Sequence, residues 1–491
     1  MAKEQWNSYT RPSMKHIVVI SLNNNWFSVD LGEPEILIST LRLTDVGTIV
    51  TFQSAELFAY FESLGRMLVP QVFDLQCIDK QMSQEGKEFR NPKKWHLLPF
   101  LKYHKVIPDD FVLNDASILY CLQAMGIVYS QLIDFDEEEK ARVETIEAEI
   151  NKIIYKRQRQ GVGINLDLAK NLSKKIEKEI YRDKNVLQLE HGIFDPENIS
   201  QQLAYIDRKK YNLIKSSQFT FKAWRSHDPV CALFYNILRN KADMNSLLFM
   251  LSNWGGSQKT KPTYFGFGTI TSRITMREPA LQNLRKQNRA VIIAEMGYKL
   301  LYIDYSQFEA GILASLSQDP AMIKFYNASD IYTDIAKTVL GNKDHRSDAK
   351  ILFYRYMYGD TSLPSAAVSY FTKFRKLDQF KKDIDERMEL EGRIGTVNGN
   401  YRKKNGEAYS WALSHLIQAT ASLIYKNAVI RTGREAGQAK FLIPMHDATL
   451  YQIPEYCYDK VVKRIEEIYI EEFKKICPNI EVAVTSKDKF D

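Results

Sequence analysis

Alternating apolar and polar positions mark the start of the chain, where residues 16–22, 26–31 and 46–52 are rich in β-branched and aromatic side chains. Residues 23–25, all asparagine, separate the first two of these stretches. Short apolar runs bounded by asparagines are typical of strands joined by tight turns. The pattern predicts a hairpin and a further strand, and the spacing that follows predicts helices to about residue 132.

Two later apolar stretches each lead to an acidic residue. Residues 300–303 are apolar or aromatic and precede the lone carboxylate Asp304, which predicts a buried strand that carries this side chain to the end of a sheet. Residues 441–453 predict two strands that meet at a turn carrying His446 and Asp447. A carboxylate in the first of these positions is a candidate metal ligand, whereas a His-Asp pair alone is more often structural.

A helical pattern lies between these strands. Arg346, Lys350, Tyr354 and Tyr358 recur at every fourth residue, and Gly359 follows them. Residues four apart lie on one face of a helix, and glycine commonly ends a helix. Fixed cations suit a triphosphate, and aromatic rings suit a sugar and a base. The pattern therefore predicts a nucleotide-binding helix face.

Composition narrows the class of protein. The 491 residues carry a net charge of +7, which favours an anionic partner without identifying it. The five cysteines form no CxxC pair and the eight histidines are scattered, which argues against a zinc site or a disulfide framework. No apolar run reaches the ~18 residues of a membrane span, and no leader opens the chain, so we expect a soluble, cytoplasmic protein without a membrane partner.

The motifs resemble those of family A DNA polymerases. The stretch Asp304-Tyr-Ser-Gln-x-Glu309 resembles the first palm motif of that family, and the pattern that starts at Arg346 resembles its fingers helix. Residues 446–448 resemble its His-Asp-Glu motif, with Ala448 in place of Glu. The order and spacing of the motifs are much more specific than any one of them.

The resemblance implies an α/β (α+β) fold, a right-hand polymerase with palm, fingers and thumb, preceded by a degenerate RNase H-like 3′→5′ exonuclease-type domain. It implies these divisions: an exonuclease-like domain at 14–135, a thumb at 140–255, palm at 256–345, fingers at 346–395 and palm again at 396–491. An acidic stretch at 134–139 is a plausible boundary. Basic helical patterns at 144–160 and 166–184 resemble the thumb entrance and suit a DNA backbone, although a basic run is more often a solvated helix face.

The exonuclease chemistry is expected to be lost. A two-metal nuclease needs several convergent carboxylates, and the family carries Asp-x-Glu on the first strand of this domain. We expect that strand to be missing, with the chain entering at the hairpin after it. Asp115 matches a family position, Asp74 falls within a short family-like motif, and Glu56 only lies near another position.

The resemblance also implies roles for individual residues. Two Mg²⁺ ions, for which Mn²⁺ can substitute, would be held by Asp304, Asp447 and the carbonyl of Tyr305. Nucleotide binding would fall to Arg346, Lys350, Tyr354, Tyr358, Glu309 and Gln307, and Lys350 would also protonate the leaving pyrophosphate. DNA binding would fall to Arg273, Asn283, Gln418 and His446.

Several positions depart from the family pattern. Ser272 replaces the glycine of Thr-Gly-Arg, and residues 418–422 read Gln-Ala-Thr-Ala-Ser where Gln-Gly-Thr-Ala-Ala is usual. Ser410 and Ser414 stand where an Arg and an Asn are expected. We therefore expect a weaker grip on the DNA minor groove.

Three functions remain open at this stage. The favoured one is a DNA-templated DNA polymerase without proofreading that acts on primer-template DNA and dNTPs, with a replisome or processivity partner left open. The second, motivated by Ala448 and by the degenerate N-terminal domain, is a non-catalytic or weakly active DNA-binding replication accessory protein. The third is a nucleotidyltransferase with relaxed template or sugar choice.

Overall fold

The structure, a computed structural model, describes residues 15–38, 46–52, 54–65, 71–82, 96–133, 136–214, 216–252, 258–360, 362–404, 406 and 409–490. The predicted boundary residues 14, 134, 135, 255, 256 and 491 lie outside this set.

In the residues that the structure describes, the N-terminal unit has a five-stranded sheet and four helices. Its elements are β1 (Lys15–Leu22), β2 (Asn25–Asp30), β3 (Glu33–Ile38), β4 (Val46–Thr51), α1 (Ser54–Ser63), β5 (Gln71–Asp74), α2 (Leu75–Met82), α3 (Leu97–Tyr103) and α4 (Ile118–Ile133). The strand order is β3-β2-β1-β4-β5, with β1 antiparallel to β2 and parallel to β4. Asn23 and Asn24 have positive φ, as a two-residue hairpin turn requires, so the predicted hairpin is confirmed.

The expectation that this domain lacks its first strand is wrong. β1 lies at the centre of the sheet, and its alternate residues pack on opposite faces, as a period of two dictates. Val18 and Ile20 join the core with α2, α3 and α4, while Ile17 and Val19 join the core that includes Tyr155. What β1 lacks is any Asp or Glu.

A mostly helical unit follows. Its elements are α5 (Glu137–Arg142), a π-helical turn (Val143–Glu147), α6 (Ala148–Gln160), β6 (Val162–Gly163), α7 (Leu166–His191), α8 (Ile199–Arg208), α9 (Ser217–Trp224) and α10 (Pro229–Ser252). The side chain of Asn165 caps the start of α7, and Gly192, in the left-handed conformation, ends it. α10 packs along α7.

The segment that joins these two units is tied to distant parts of the chain. Glu139, on α5, is fully buried, and its carboxylate accepts hydrogen bonds from the backbone N–H groups of Asn400 and Tyr401 at 3.0 and 2.7 Å. Gln81 donates to the Glu139 carbonyl at 2.9 Å. Because buried carboxylates need such partners, α5 is fixed against the C-terminal part of the chain.

The remaining residues form a second sheet covered by helices. The elements are β7 (Lys259–Thr260), β8 (Thr263–Phe265), β9 (Thr275–Arg277), β10 (Tyr298–Tyr305), α11 (Phe308–Ser317), α12 (Pro320–Ala328), α13 (Ile331–Thr338), α14 (Arg346–Met357), α15 (Ser365–Phe371), α16 (Arg375–Glu391), β11 (Arg393–Thr396), β12 (Gly399–Lys403), α17 (Ala412–Glu435), β13 (Lys440–Pro444), β14 (Ala448–Pro454), α18 (Tyr458–Ile476) and β15 (Val484–Lys487). Short 3₁₀ turns lie at Leu281–Asn283, Lys286–Val291, Lys343–His345 and Glu455–Cys457.

β10 is an inner strand of the sheet β13-β14-β10-β15, in which all neighbours are antiparallel. α11, α17 and α18 pack together over this sheet. Leu301 and Ile303 are fully buried, which explains the apolar run that precedes Asp304. The sheet thereby presents the end of β10 and the start of β14 side by side.

No single helix in the described ranges is both long and apolar enough to cross a membrane. Ile118–Ile133 and Glu137–Gln160 meet the length and composition criteria only when taken together as one bent pair.

Candidate active site

The two aspartates predicted to bind metal meet at neighbouring strand ends. In the β10–β14 ladder Asp304 lies directly opposite Ala448, so Asp447 is one residue before the pair. The backbone N–H of Tyr305 donates to the carbonyl of Asp447 at 3.3 Å, and Met445 closes the β13–β14 turn through a 2.8 Å bond to the carbonyl of Ala448. The predicted strands and their turn are confirmed.

The proximity of the two carboxylates makes it harder for Asp304 to lose its proton. Burial, and then the Asp447 carboxylate, raise the pKa of Asp304 to about 7. Burial also raises the pKa of Asp447, and the positive charges of Arg273 and Lys350 oppose that rise. Asp447 Oδ1 is buried without a hydrogen-bond partner. A buried, unpartnered carboxylate oxygen beside a second carboxylate is an arrangement that a divalent cation would stabilise.

The residues present therefore fit a Mg²⁺ site built from few protein ligands. Mg²⁺ is commonly held by one or two carboxylates together with substrate phosphates and water. Cross-strand partners share a face of the sheet, so a Glu at position 448 would stand beside Asp304, where this chain has a methyl group. Within the described parts of the chain, no cluster of three or more His, Cys, Asp or Glu side chains could hold a metal ion. The Tyr305 side chain is committed elsewhere, because its hydroxyl donates to the carbonyl of Tyr469 at 2.8 Å.

Four predicted site residues form one hydrogen-bonded chain beside the aspartates. Arg273 Nη2 donates to Glu309 Oε1 at 2.7 Å, and the Tyr358 hydroxyl donates to Glu309 Oε2 at 2.9 Å. Gln418 Nε2 donates to the Tyr358 hydroxyl at 2.9 Å. Burial and the nearby Asp447 raise the pKa of Glu309, while Arg273 opposes the rise. Arg273 Nε is buried without a partner, so this guanidinium retains an unused donor.

α14 presents the predicted cations and rings as one face. Arg346 pairs with Asp330 at 2.7 Å and is 47% exposed. The Lys350 ammonium lies 5.8 Å from the centre of the Tyr332 ring and 5.7 Å from that of Tyr354. The ring centres of Tyr354 and Tyr358 are 5.8 Å apart.

The helix α14 ends before Tyr358, and Gly359 follows with φ of +76°. The positive charge of Lys350 lowers the pKa of both Asp304 and Asp447. This face of α14 therefore lies opposite the two aspartates.

The other predicted residues lie around this centre, and some are hydrogen-bonded to neighbouring elements while others are exposed to solvent. Gln307 has φ of +49° and accepts a 3.0 Å hydrogen bond from the backbone N–H of Ile331, so its amide oxygen joins α11 to α13. His446 is exposed to solvent on one side, while partial loss of hydration on the other side and the nearby Arg273 lower its pKa. Asn283 is exposed at the end of a 3₁₀ turn.

Sequence reasoning missed two residues of the site. Asp330 caps α13 through the backbone N–H groups of residues 332 and 333, and it also holds Arg346. Tyr332 is buried beneath Arg346 and Lys350, with 1% exposure. The sequence carries a signal for the first of them, because an Asp one residue before a helical pattern is an N-cap. Nothing local marks Tyr332.

The acidic residues of the N-terminal unit do not form a comparable centre. Asp74 is buried at the end of β5, with Oδ2 accepting from the backbone N–H and hydroxyl of Ser54, each at 2.8 Å, and Oδ1 accepting from the N–H of Cys77 at 3.1 Å. Glu56 and Asp115 are exposed. In the described part of the unit these carboxylates do not converge on a metal site.

Known proteins with similar sequences or structures are polymerases. The profile of DNA polymerase family A matches residues 132–490. DNA polymerase I of Caldicellulosiruptor bescii is 26% identical over 375 residues, which are 66% of this chain and 44% of that protein. DNA polymerase I of Aquifex aeolicus is 23% identical over 392 residues, 71% of this chain and 67% of that protein. The chain thus spans less than half of the first of these relatives.

A solved structure has the same fold. The POL domain of Pol1 from M. smegmatis, in complex with DNA primer-template and dNTP, superposes with a TM-score of 0.78 at 16% identity, covering 97% of this chain and 96% of that one. The predicted right-hand polymerase fold with palm, fingers and thumb is confirmed by this overall structural similarity. The profile match covers well over half of the chain, and the chain belongs to DNA polymerase family A.

Proposed function

We propose that this protein is a DNA-templated DNA polymerase that extends a primer with dNTPs by two-metal nucleotidyl transfer and does not proofread. The observation that carries the proposal is the meeting of Asp304 and Asp447, with Asp447 Oδ1 unpartnered, opposite the cation-bearing face of α14. Primer-template DNA and dNTP accompany the M. smegmatis domain in its solved structure, which supports the same partners here.

The reaction joins a primer 3′-hydroxyl to the α-phosphorus of a dNTP and releases pyrophosphate. The attacking oxygen, the phosphorus centre and the leaving group are all anionic in the transition state, so catalysis requires fixed positive charge. Two divalent ions, when bound, supply it by lowering the pKa of the hydroxyl and stabilising the leaving oxygen. Asp304 and Asp447, with the carbonyl of Tyr305, would hold them. Lys350 would deliver a proton to the pyrophosphate.

Arg346 and Lys350 would bind the triphosphate. The ion pair between Arg346 and Asp330 is 47% and 33% exposed, and such exposed pairs are typically worth ~0–1 kcal/mol. A triphosphate can therefore exchange with Asp330 at little cost. The rings of Tyr354 and Tyr358 would stand against the sugar and the nascent base pair, and Gln307 would support this side of the site.

Glu309 would select the sugar. Its carboxylate is held from both sides by Arg273 and Tyr358, so it occupies a fixed volume next to the site and would clash with a 2′-hydroxyl. DNA contacts would come from the partly exposed side chain of Arg273 and from Gln418. The exposed residues Asn283 and His446 would complete this DNA surface.

The absence of proofreading rests on the N-terminal unit. β1 carries no acid, Asp74 is fully used as a structural acceptor, and Asp115 is exposed and isolated from the others. A two-metal nuclease needs convergent carboxylates. We assign residues 14–135 to this inactive unit, and to thumb, palm, fingers and palm the ranges 140–255, 256–345, 346–395 and 396–491.

One observation favours a second candidate, a non-catalytic DNA-binding accessory protein. Ala448 lies opposite Asp304 where the family pattern has Glu, so the site has lost one carboxylate. The remaining charges argue for activity, because an inactive relic has no need for two half-buried aspartates that lie side by side without a cation between them.

A single experiment separates the candidates. Purified protein is mixed with a labelled primer annealed to a longer template, Mg²⁺, and either dNTPs or NTPs. Template-directed extension with dNTPs supports the proposal, and extension with NTPs at an equal rate would support relaxed sugar choice. DNA binding without extension, in Mg²⁺ and in Mn²⁺, would establish the accessory protein instead.

A further inference from the structure

Ser272 has a backbone conformation that glycine adopts readily and other residues avoid. Its φ is +58°, its exposure is 0%, and it stands where the family motif has glycine. A side chain in the left-handed region is strained. Some other contact must therefore hold this turn in place.

The Ser272 hydroxyl is held from two distant elements. Arg142, the last residue of α5, donates from Nη2 to Ser272 Oγ at 2.7 Å. The hydroxyl of Ser422, on α17, lies 3.1 Å from the same atom. In the family pattern given above, an alanine stands at the position of Ser422, so the two serines that meet here are both departures from it.

Arg142 is itself rigidly fixed. Its Nε donates to Glu147 Oε1 at 3.1 Å and its Nη1 donates to the carbonyl of Asn398 at 3.0 Å. The second oxygen of Glu147 accepts from Lys426 at 2.6 Å. All three ionic side chains are buried. A guanidinium presents its donors in fixed directions, so Arg142 acts as a rigid support for the Ser272 hydroxyl.

The turn that contains Ser272 aims Arg273 at Glu309. The backbone N–H of Arg273 donates to Thr269 Oγ1 at 3.1 Å, and its guanidinium reaches Glu309 at 2.7 Å. Because the two residues are adjacent, a change in the Ser272 backbone displaces Arg273 directly.

We propose that Arg142 and Ser422 are positioning residues that fix the Arg273–Glu309 contact through the Ser272 hydroxyl, and so set the sugar selectivity of the enzyme. This inference rests on the proposed function of Glu309. It assigns to α5, which lies outside the catalytic sheet, an influence on nucleotide choice.

The test is a double-mutant cycle read out as the dNTP/NTP selectivity ratio in primer extension. Arg142→Met and Ser272→Ala should each lower the ratio, by about tenfold if the contact is worth a hydrogen bond of ~1.4 kcal/mol. The double variant should match Ser272→Ala, because both changes remove the same contact and alanine, unlike glycine, keeps the strain of the left-handed backbone. The proposal would be overturned if the fold-change of the double variant equalled the product of the two single fold-changes. An unchanged ratio in both single variants would also overturn it.

A merely structural role would lower yield or rate without moving the ratio. Ser173→Ala is the matched control, since Ser173 is a buried serine on α7 whose hydroxyl donates to Met244 Sδ at 3.5 Å, and its ratio should stay at the wild-type value. Glu309→Ala is the positive control and should give the largest fall. If Arg142→Met does not fold, Ser422→Ala takes its place in the cycle, with a smaller fall that disappears in the Ser272→Ala background.

Failure of the proposed function would look different. A wild-type protein that extends no primer would refute the polymerase assignment. The contact would then be tested by the same cycle in urea unfolding. Non-additive midpoints would support the Arg142–Ser272 contact, and additive midpoints would overturn it.

Discussion

Asp74 and Asp304 share a sequence pattern, a buried apolar strand that ends in a carboxylate, yet the two regions use it in opposite ways. Both oxygens of Asp74 are occupied by hydrogen bonds from Ser54 and Cys77. Asp304 instead shares its site with Asp447, which has an unpartnered buried oxygen. A carboxylate whose oxygens are both hydrogen-bonded supports the fold, whereas two neighbouring carboxylates without such partners are suited to bind a cation. The strand pattern alone does not separate the two cases.

The largest expected effect comes from removing one aspartate of the pair. Asp304→Ala or Asp447→Ala should lower the extension rate on the order of 10³-fold or more while DNA binding persists, because the metal ions lose a ligand. Single-turnover extension and a binding titration measure this. Asp74→Ala is the matched control and should leave the rate per folded molecule unchanged. Near-normal extension by either palm variant would contradict the assignment.

The next effect concerns the nucleotide side of the same region. A dideoxynucleotide lacks the 3′-hydroxyl that hydrogen-bonds to its own triphosphate, and the Tyr354 phenol can replace that bond where Phe cannot. An unmade bond costs about 1–3 kcal/mol, so Tyr354→Phe should lower the ddNTP/dNTP incorporation ratio by roughly tenfold to a hundredfold. Equal ratios in both proteins would mean that the phenol only packs against its neighbours.

A smaller effect concerns the pH dependence of protein stability, which should differ between the regions of Asp304 and Asp74. The pKa of Asp304 is raised to about 7 from 3.8, so between these values the folded protein holds a proton that the unfolded chain has lost. Stability of the metal-free protein should therefore fall as pH rises through this window, and Asp304→Asn should reduce that fall. Melting curves at pH 5 and pH 8 measure it. An identical pH slope in Asp304→Asn and wild type would contradict the burial of this carboxylate.

Mg²⁺ should raise the melting temperature of the wild type more at pH 8 than at pH 5, because the ion binds the ionised carboxylates.

Asp74→Asn should change the stability of the protein in a different way from Asp304→Asn. It replaces one carboxylate oxygen with an NH₂ donor, so the side chain can accept from Ser54 or from the Cys77 N–H but not from both, and it should destabilise the protein at both pH values, by about 1–3 kcal/mol.

The last prediction is that the protein does not degrade a primer from its 3′ end. A labelled primer with a mismatched 3′ end, incubated with Mg²⁺ or Mn²⁺ and no nucleotides, should stay at full length. Asp115→Ala should change nothing. Shortening of the primer that disappears in Asp115→Ala would show that the N-terminal unit is an active exonuclease and would remove the contrast between the two regions.

Local patterns predicted the elements of the site well. The strand before Asp304, the turn at Asp447 and the helix from Arg346 were all visible in the sequence because each depends on neighbouring residues. The central position of β1 was not predicted, since the only expected marker of that strand was an acid pair that it lacks. Strand pairing depends on buried side chains on both faces of the sheet, which a single stretch does not reveal.

Contacts between distant residues were beyond sequence reasoning. Arg273 and Glu309 are 36 positions apart, and Tyr358 and Gln418 are 60 apart. Each residue was singled out by its motif, but their joining into one hydrogen-bonded chain follows only from packing. The support of Ser272 by Arg142, 130 positions away, had no local signal at all.

The burial of Glu139 and Arg142 bears on how this protein can be shortened. A fragment that begins at residue 148 would lose both side chains, and with them the acceptor for two backbone N–H groups of β12 and the donor to Ser272. Glu147 would be lost as well, leaving Lys426 as a buried charge without its partner. A fragment that begins at residue 136 keeps all of these groups. For expression of the C-terminal part alone, the chain is best cut before α5, close to residue 132, where the match to the family profile begins.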